Sequence, residues 1–414
     1  MSHGTPKLRR PSLGSFDNAL FFCLGLFPAL YVKSLQLMLL VALIGVLLHG
    51  RRLFKRRARG INWAYVAIAQ FIVFFFINAY VFAPLTEMQI PLRAVALEAW
   101  GTSLFGLLLF GIYLADGRDL KLACQKFMPL GMLGSFAFLT YEYLFIWDGG
   151  GYRAHGLAPT ELAPPLWFLI LTMISFAGYA QMSKRARLVP FILFLCTAFM
   201  CMYAGARLVM LAWLLSAAFL VAYIALLSAQ ESRKRTALRL VGGLCAAIFS
   251  VYVIDSVSAG IINERVRETL DGFSNQNSTT FFRLELWRAA ISVAQDALPW
   301  GAGQINERPL VTAEIDKDYL TAREINPDVR LRAHQTYISY VIGGGWLALL
   351  SGVIFQCAPL AALRRGTVSI LPAVVGLFCI AALNGLTDSV FQSYGAVQVY
   401  MLLTLLILRI YPRT

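Results

Sequence analysis

Apolar residues gather into twelve stretches, near 15–32, 34–49, 61–82, 94–115, 127–147, 164–182, 188–206, 208–229, 240–257, 338–361, 367–386 and 395–411. Each approaches the roughly 20 residues a helix needs to cross the hydrocarbon core of a bilayer. The pattern predicts an all-α polytopic membrane protein of about twelve transmembrane helices, with both termini on one side. The first two stretches are short, with Lys33 as a tight turn between them, and fusing them gives the competing count of eleven.

One interval breaks this rhythm. Residues 258–337 carry nine basic and eleven acidic residues and are soluble in character. They divide the chain into spans one to nine (1–257), a loop domain (258–337) and spans ten to twelve (338–414). Ser278, Thr279 and Thr280 are N-cap types for a helix through FFRLELWRAAISVAQDA. Along it Phe282, Leu286, Ala289, Ala290 and Val293 recur at helical spacing and define one apolar face. The turn PWGAG, with Pro299, Gly301 and Gly303, ends that helix. Gly343, Gly344 and Gly345, inside the following span, predict the close approach of another helix.

Composition sharpens this reading. The 414 residues are 58% hydrophobic and 14% charged, against about 45–50% and 25% in a soluble domain, which excludes a water-soluble globule. The net charge of +14 would suggest nucleic acid in a soluble protein, but here the basic residues fall in short runs between apolar stretches. That is a signature of membrane topology, with the bilayer as partner and no nucleic acid. With the N-terminus inside, the inside segments hold 23 Lys and Arg. The short outside turns hold four, namely Lys33, Arg93, Arg153 and Arg207, and the long segment holds the other nine, which together make the 36 of the chain. Long segments cross largely regardless of charge, so the contrast of 23 with four puts both termini in the cytoplasm. The basic N-terminus (Lys7, Arg9, Arg10) leads into an uncleaved first span. The seven cysteines form no disulfide framework or metal spacing.

Ionisable residues at a membrane edge are costly and point to function. Arg207, in CMYAGARLVMLAW, sits at the mouth between two spans; it is either a snorkelling anchor or a ligand contact. Arg283 lies in the first turn of the loop helix, where free N–H groups and a guanidinium fork suit phosphate; the alternative is a solvated pair with Glu285 or Asp271. Arg288 lies about 140° around that helix from Arg283, so the two do not face one ligand. His334 precedes the re-entry segment HQTYISYVIGGGWLALL and is either structural or a group that exchanges protons near neutral pH. Arg93, Arg153, His155 and Asp388 are further polar residues at outside turns. No phosphate-binding glycine loop, no Ser/His/Asp order, no histidine pair at metal spacing and no paired acids are evident. Transfer chemistry here is therefore expected to need no metal and no cofactor.

These residues carry a resemblance. The chain resembles the O-antigen ligases, within the larger group that includes O-antigen polymerases and protein O-oligosaccharyltransferases. The layout is about twelve spans with one long periplasmic loop before the last few. Locally it rests on Arg207 with Leu211, on FFRLELWRAA with Arg283, on PWGAG, and on His334–Gln335 followed, after nine residues, by Gly345. The family's pattern often continues with Gly, Thr or Tyr where this chain has Ala348. The resemblance implies a GT-C-like enzyme of the bacterial inner membrane with its active site on the periplasmic face. It would transfer a polysaccharide from undecaprenyl diphosphate to a hydroxyl of the outer sugar of lipid A–core. Arg207 and Arg283 would hold the diphosphate, His334 would either take the acceptor proton or only orient the acceptor or diphosphate, and displacement would invert the anomeric carbon. Gln335 would stand beside the base. The alternatives are a polymerase with a second lipid-linked glycan as acceptor, a protein O-oligosaccharyltransferase, and, from another class, a polytopic lipid or glycan transporter. A transporter should show repeats and broken helices with ionisable groups near the midplane, and Glu142 is the charge that keeps that option open.

Overall fold

The structure, a computed structural model, describes residues 12–55, 63–82, 84–85, 90–114, 118–146, 157, 163–204, 207–227, 267, 279–315, 333, 335–365, 368–386 and 394–410. Among these residues the chain is helical and contains no strand. We number the helices α1 (Leu13–Leu30), α2 (Val32–Lys55), α3 (Trp63–Val81), α4 (Ile90–Tyr113), α5 (Lys121–Tyr141), α6 (Ala163–Ser175), α7 (Leu188–Ala204), α8 (Arg207–Leu227), α9 (Thr279–Ala297), α10 (Glu307–Glu314) and α11 (Thr336–Cys357). The last two are α12 (Val368–Gly385) and α13 (Tyr394–Ile410). Eight described helices are long and apolar enough to cross a membrane, and α6, α7 and α13 are shorter apolar helices. These coincide with eleven of the twelve predicted stretches; the twelfth, 240–257, lies outside the described residues. The chain is thus an all-α polytopic membrane protein. α6 and α13 bury nearly every residue, as expected of helices apolar all round that are enclosed by others.

The first two stretches are separate helices. The turn is made at Tyr31, at φ 43°, whose ring tilts onto Phe27 at 4.9 Å; Lys33 already belongs to α2. The pair runs antiparallel, since Phe16 meets His49 near one end while the Ser34 hydroxyl donates to the Cys23 carbonyl near the other. α1 also packs on α5 backbone to backbone. A Cβ on Gly25 would stand 2.2 Å from the Met128 carbonyl oxygen, and one on Gly131 2.1 Å from that of Phe22. Small residues at such crossings let helices associate by van der Waals contact where lipid offers no hydrophobic drive.

A charge the apolar pattern passed over fastens one end of the bundle. Asp17, inside the first span, is 7% exposed in its side chain and receives Arg118, 14% exposed, as a fork: Nε to Oδ2 at 2.8 Å and Nη2 to Oδ1 at 2.6 Å. The Tyr113 hydroxyl donates to Oδ1 at 2.8 Å. Removing one member of a buried pair leaves the other charge stranded, at about 3–5 kcal/mol when fully dry. Arg118 can still reach water, so Asp17→Ala is expected to cost about 2 kcal/mol, read as a lower unfolding temperature of the detergent-purified protein. Glu142, buried in a π-helical turn that extends α5, has an interaction partner of its own.

Near the middle of α3 and α4, aromatic rings join these helices to α11. Phe71 stacks on Phe355 at 4.3 Å, Phe75 on Trp100 at 5.3 Å, and Tyr340 packs edgewise on Phe71 at 5.8 Å. The turn that follows residue 299 meets this platform at Gln304, which accepts from the Trp100 indole.

Candidate functional site

α9 forms where the periodicity predicts it. Leu286, Ala289, Ala290 and Val293 are buried, and with the half-buried Phe282 they pack on Val311 and Ile315, on Ala333, and on Ile338, Val341 and Ile342 of α11. One small apolar cluster therefore joins the loop helices to the start of α11. The helix begins at Thr279, so Arg283 falls just past the first turn rather than in it, and its side chain is exposed. Arg288 is exposed too.

The turn after α9 does more than end a helix. Gly301 and Gly303 have φ of 83° and 94°, the left-handed region that favours glycine. They lay the turn along α11, which is broken at Gly344 and Gly345. In an unbroken helix the Trp346 N–H would donate four residues back, to Ile342. It donates instead to the Pro299 carbonyl at 3.2 Å, and Ile342 accepts from the Ala302 N–H at 2.6 Å, while Gly343 accepts from the Gly303 N–H at 3.1 Å. The break is thus closed by the turn, group for group. The expectation that the three glycines admit a neighbouring helix holds for one side: the Phe74 ring of α3 lies 2.9 Å from a Cβ added at Gly344, and the turn approaches from the other side, at Gly345. A Cβ on Gly345, at φ 63°, would lie 1.8 Å from the Pro299 oxygen, and one on Gly301 2.4 Å from Gly344 Cα.

Asn78, Trp100, Gln304, Asn306 and Glu307 brace this joint, and the sequence reading named none of them for it. Asn78, buried near the end of α3, donates Nδ2–H to the Gly343 carbonyl at 2.7 Å and accepts the Gln304 N–H at 3.2 Å. The Trp100 indole N–H donates to Gln304 Oε1 at 3.2 Å. Asn306 accepts the Leu85 N–H at 3.2 Å and donates to the Ala302 carbonyl at 2.8 Å. Glu307, first in α10 and 3% exposed, accepts at Oε1 from the Ala333 N–H at 3.2 Å and the Ser339 hydroxyl at 2.8 Å. Asn78 carried one usable signal, a lone amide in the otherwise apolar IVFFFINAYVF.

The sequence-derived site residues fall out as follows. Gln335 caps α11, its side-chain oxygen accepting the Ile338 N–H. Arg93 donates Nε–H to the Ala79 carbonyl at 3.1 Å and a second N–H to that of Tyr80, and lies over the Tyr80 ring. It therefore caps the end of α3, where favourable interaction of a cation with free helix carbonyls is expected. Arg207 opens α8, with only residues 205–206 separating it from α7. The two helices are tied by the Trp213 ring, stacked on Phe194 at 5.0 Å and donating its N–H to the Phe194 carbonyl. The Arg207 side chain, and His334, Arg153, His155 and Asp388 altogether, lie outside the described residues. Phe282, next to Arg283 in α9, and Ala333, next to position 334, belong to one apolar cluster, and Arg283 itself is exposed.

No curated protein matches this chain. Residues 192–353, which hold α8, the loop helices, the PWGAG turn and most of α11, match the family model described as O-antigen ligase, so this segment of the chain is similar to that family.

Proposed function

We propose that the chain is an O-antigen ligase of the bacterial inner membrane. It transfers a polysaccharide from undecaprenyl diphosphate to a hydroxyl of the outer sugar of lipid A–core, on the periplasmic face. The observation that carries this reading is the apolar cluster that packs α9, bearing Arg283, on the start of α11, the residues next to His334. That cluster lies within the matched segment, as do Arg207, Arg283 and His334 themselves. Twelve spans in a GT-C-like arrangement and a periplasmic loop domain over 258–337 belong to the same proposal, as do cytoplasmic termini, which the 23-to-four distribution of basic residues supports.

In this reading the acceptor hydroxyl attacks the anomeric carbon and its proton passes to the His334 imidazole. The bond between that carbon and the phosphate oxygen breaks, and its electron pair leaves with the diphosphate. Arg207 and Arg283 bind the diphosphate and stabilise its growing charge without a metal. One displacement inverts the anomeric configuration. The break in α11 also speaks to the transporter alternative. Carriers use broken helices to free carbonyls for ions, whereas here the carbonyls of Ile342 and Gly343 are taken by the turn and by Asn78.

The test is transfer with EDTA present, using purified protein, undecaprenyl-diphosphate-linked polysaccharide and lipid A–core. Lipid A–core shifting on a gel to glycan-bearing bands is the expected result. Lengthening of the lipid-linked glycan with lipid A–core unmodified makes the protein a polymerase, and neither change overturns the glycan-transfer reading. In the same assay Arg283→Lys is expected to slow initial rates about tenfold, since a point charge replaces a bidentate fork and one charge-assisted hydrogen bond is lost. The exposed position leaves the unfolding temperature unchanged. A wild-type rate for Arg283→Lys would remove the fork from the mechanism.

A further inference from the structure

Glu307 is a carboxylate in an apolar setting, since Val311, Ile315, Ala333 and Ile342 around the loop helices are all buried. A hydrophobic residue would close such a cluster without the cost of desolvating a charge. What the carboxylate does instead is hold backbone. Oε1 accepts from the N–H of Ala333 and from the hydroxyl of Ser339. The Ser339 hydroxyl is also 2.9 Å from the Gln335 carbonyl oxygen, and the Gln335 side chain takes the Ile338 N–H. In the chain, Ala333 and Gln335 are the two neighbours of His334. One is tied directly to Glu307 and the other is tied through Ser339 and its own cap. Glu307 is itself anchored, because Asn306 before it is bonded to the PWGAG turn and to Leu85.

We propose that Glu307 is a positioning residue of the transfer centre: its carboxylate fixes the backbone on both sides of His334 and so sets where that imidazole meets the acceptor. The proposal rests on the ligase reading above. Glu307 touches no substrate and moves no proton; it acts through geometry, where a displacement near 1 Å can slow a reaction about 100-fold.

Two measurements on detergent-purified full-length protein decide it. The first is amide hydrogen exchange of the peptides covering 333–339, read without substrate. Glu307→Ala is expected to lose protection there while α5 and α13 exchange as in the wild type. Unchanged protection at 333–339 overturns the proposal. The second is steady-state transfer. Glu307→Ala is expected to lower kcat on the order of 100-fold with KM for the lipid-linked glycan little changed. Glu307→Gln, which keeps a carbonyl oxygen for both partners, is expected to recover most of that rate. A loss carried by KM, or a Gln variant no better than Ala, overturns the positioning role. Absence of transfer by wild-type protein counts against the ligase reading alone, because the exchange result still decides whether Glu307 holds this segment.

Discussion

Replacing His334 with alanine is expected to lower glycan transfer about 10³-fold, the middle of the range that a positioned general base contributes, with the fold intact. The second half of that expectation has a structural reason. The ties on either side of position 334 run from the Ala333 backbone to Glu307, from the Ser339 hydroxyl to the same carboxylate, and from the Ile338 N–H to the Gln335 side chain. None of them uses the side chain at 334. The comparison is therefore of rates between two equally monodisperse, equally stable proteins. If purified His334→Ala transfers glycan to lipid A–core as the wild type does, His334 is not the base.

The second large effect is expected at Gly345, and its neighbour supplies the control. Gly343 has room: the atoms nearest an added Cβ are those of Gln304, starting at 3.4 Å, an ordinary contact. Gly345 has none, with φ at 63° and the Pro299 oxygen 1.8 Å from the added carbon. Gly343→Ala is expected to change stability by less than about 1 kcal/mol. Gly345→Ala is expected to cost roughly 4 kcal/mol or more, because it adds a steric clash to a left-handed backbone conformation. The measurement is the unfolding temperature of both variants side by side. Equal shifts would mean that the turn is not seated on α11 as described. Transfer should be lost with Gly345→Ala, since the joint that aligns α9, α10 and α11 opens.

Much of this was legible in the sequence. Hydrophobic length marked eleven helices because a bilayer span is a local property of about 20 consecutive residues. The apolar face of α9 was equally local, and Phe282, Leu286, Ala289, Ala290 and Val293 pack as their spacing requires. The failures share a cause, which is that they depend on partners far along the chain. Asn78 meets residues 226 and 265 positions away, and periodicity carries no record of such pairings. Arg93 reads as an exposed cation until the carbonyls of Ala79 and Tyr80 are seen beside it. Asp17 reads as a blemish in a span until Arg118 and Tyr113 close on it. The three glycines were noticed, but a sequence does not say that they accommodate a turn as well as a helix.

The joint between the PWGAG turn and α11 also governs how this protein will answer mutagenesis. An alanine scan weighs a side chain by deleting it, and here Gly301, Gly344 and Gly345 have none to delete. The Pro299, Ile342 and Gly343 groups that meet are carbonyls, untouched by any side-chain truncation. Truncations alone would score Asn78 and Glu307 and pass over the contact they serve. Only substitutions that add atoms, alanine at the glycines among them, report on it, so losses at Gly301 and Gly345 measure the seat of the turn and not the worth of any side chain.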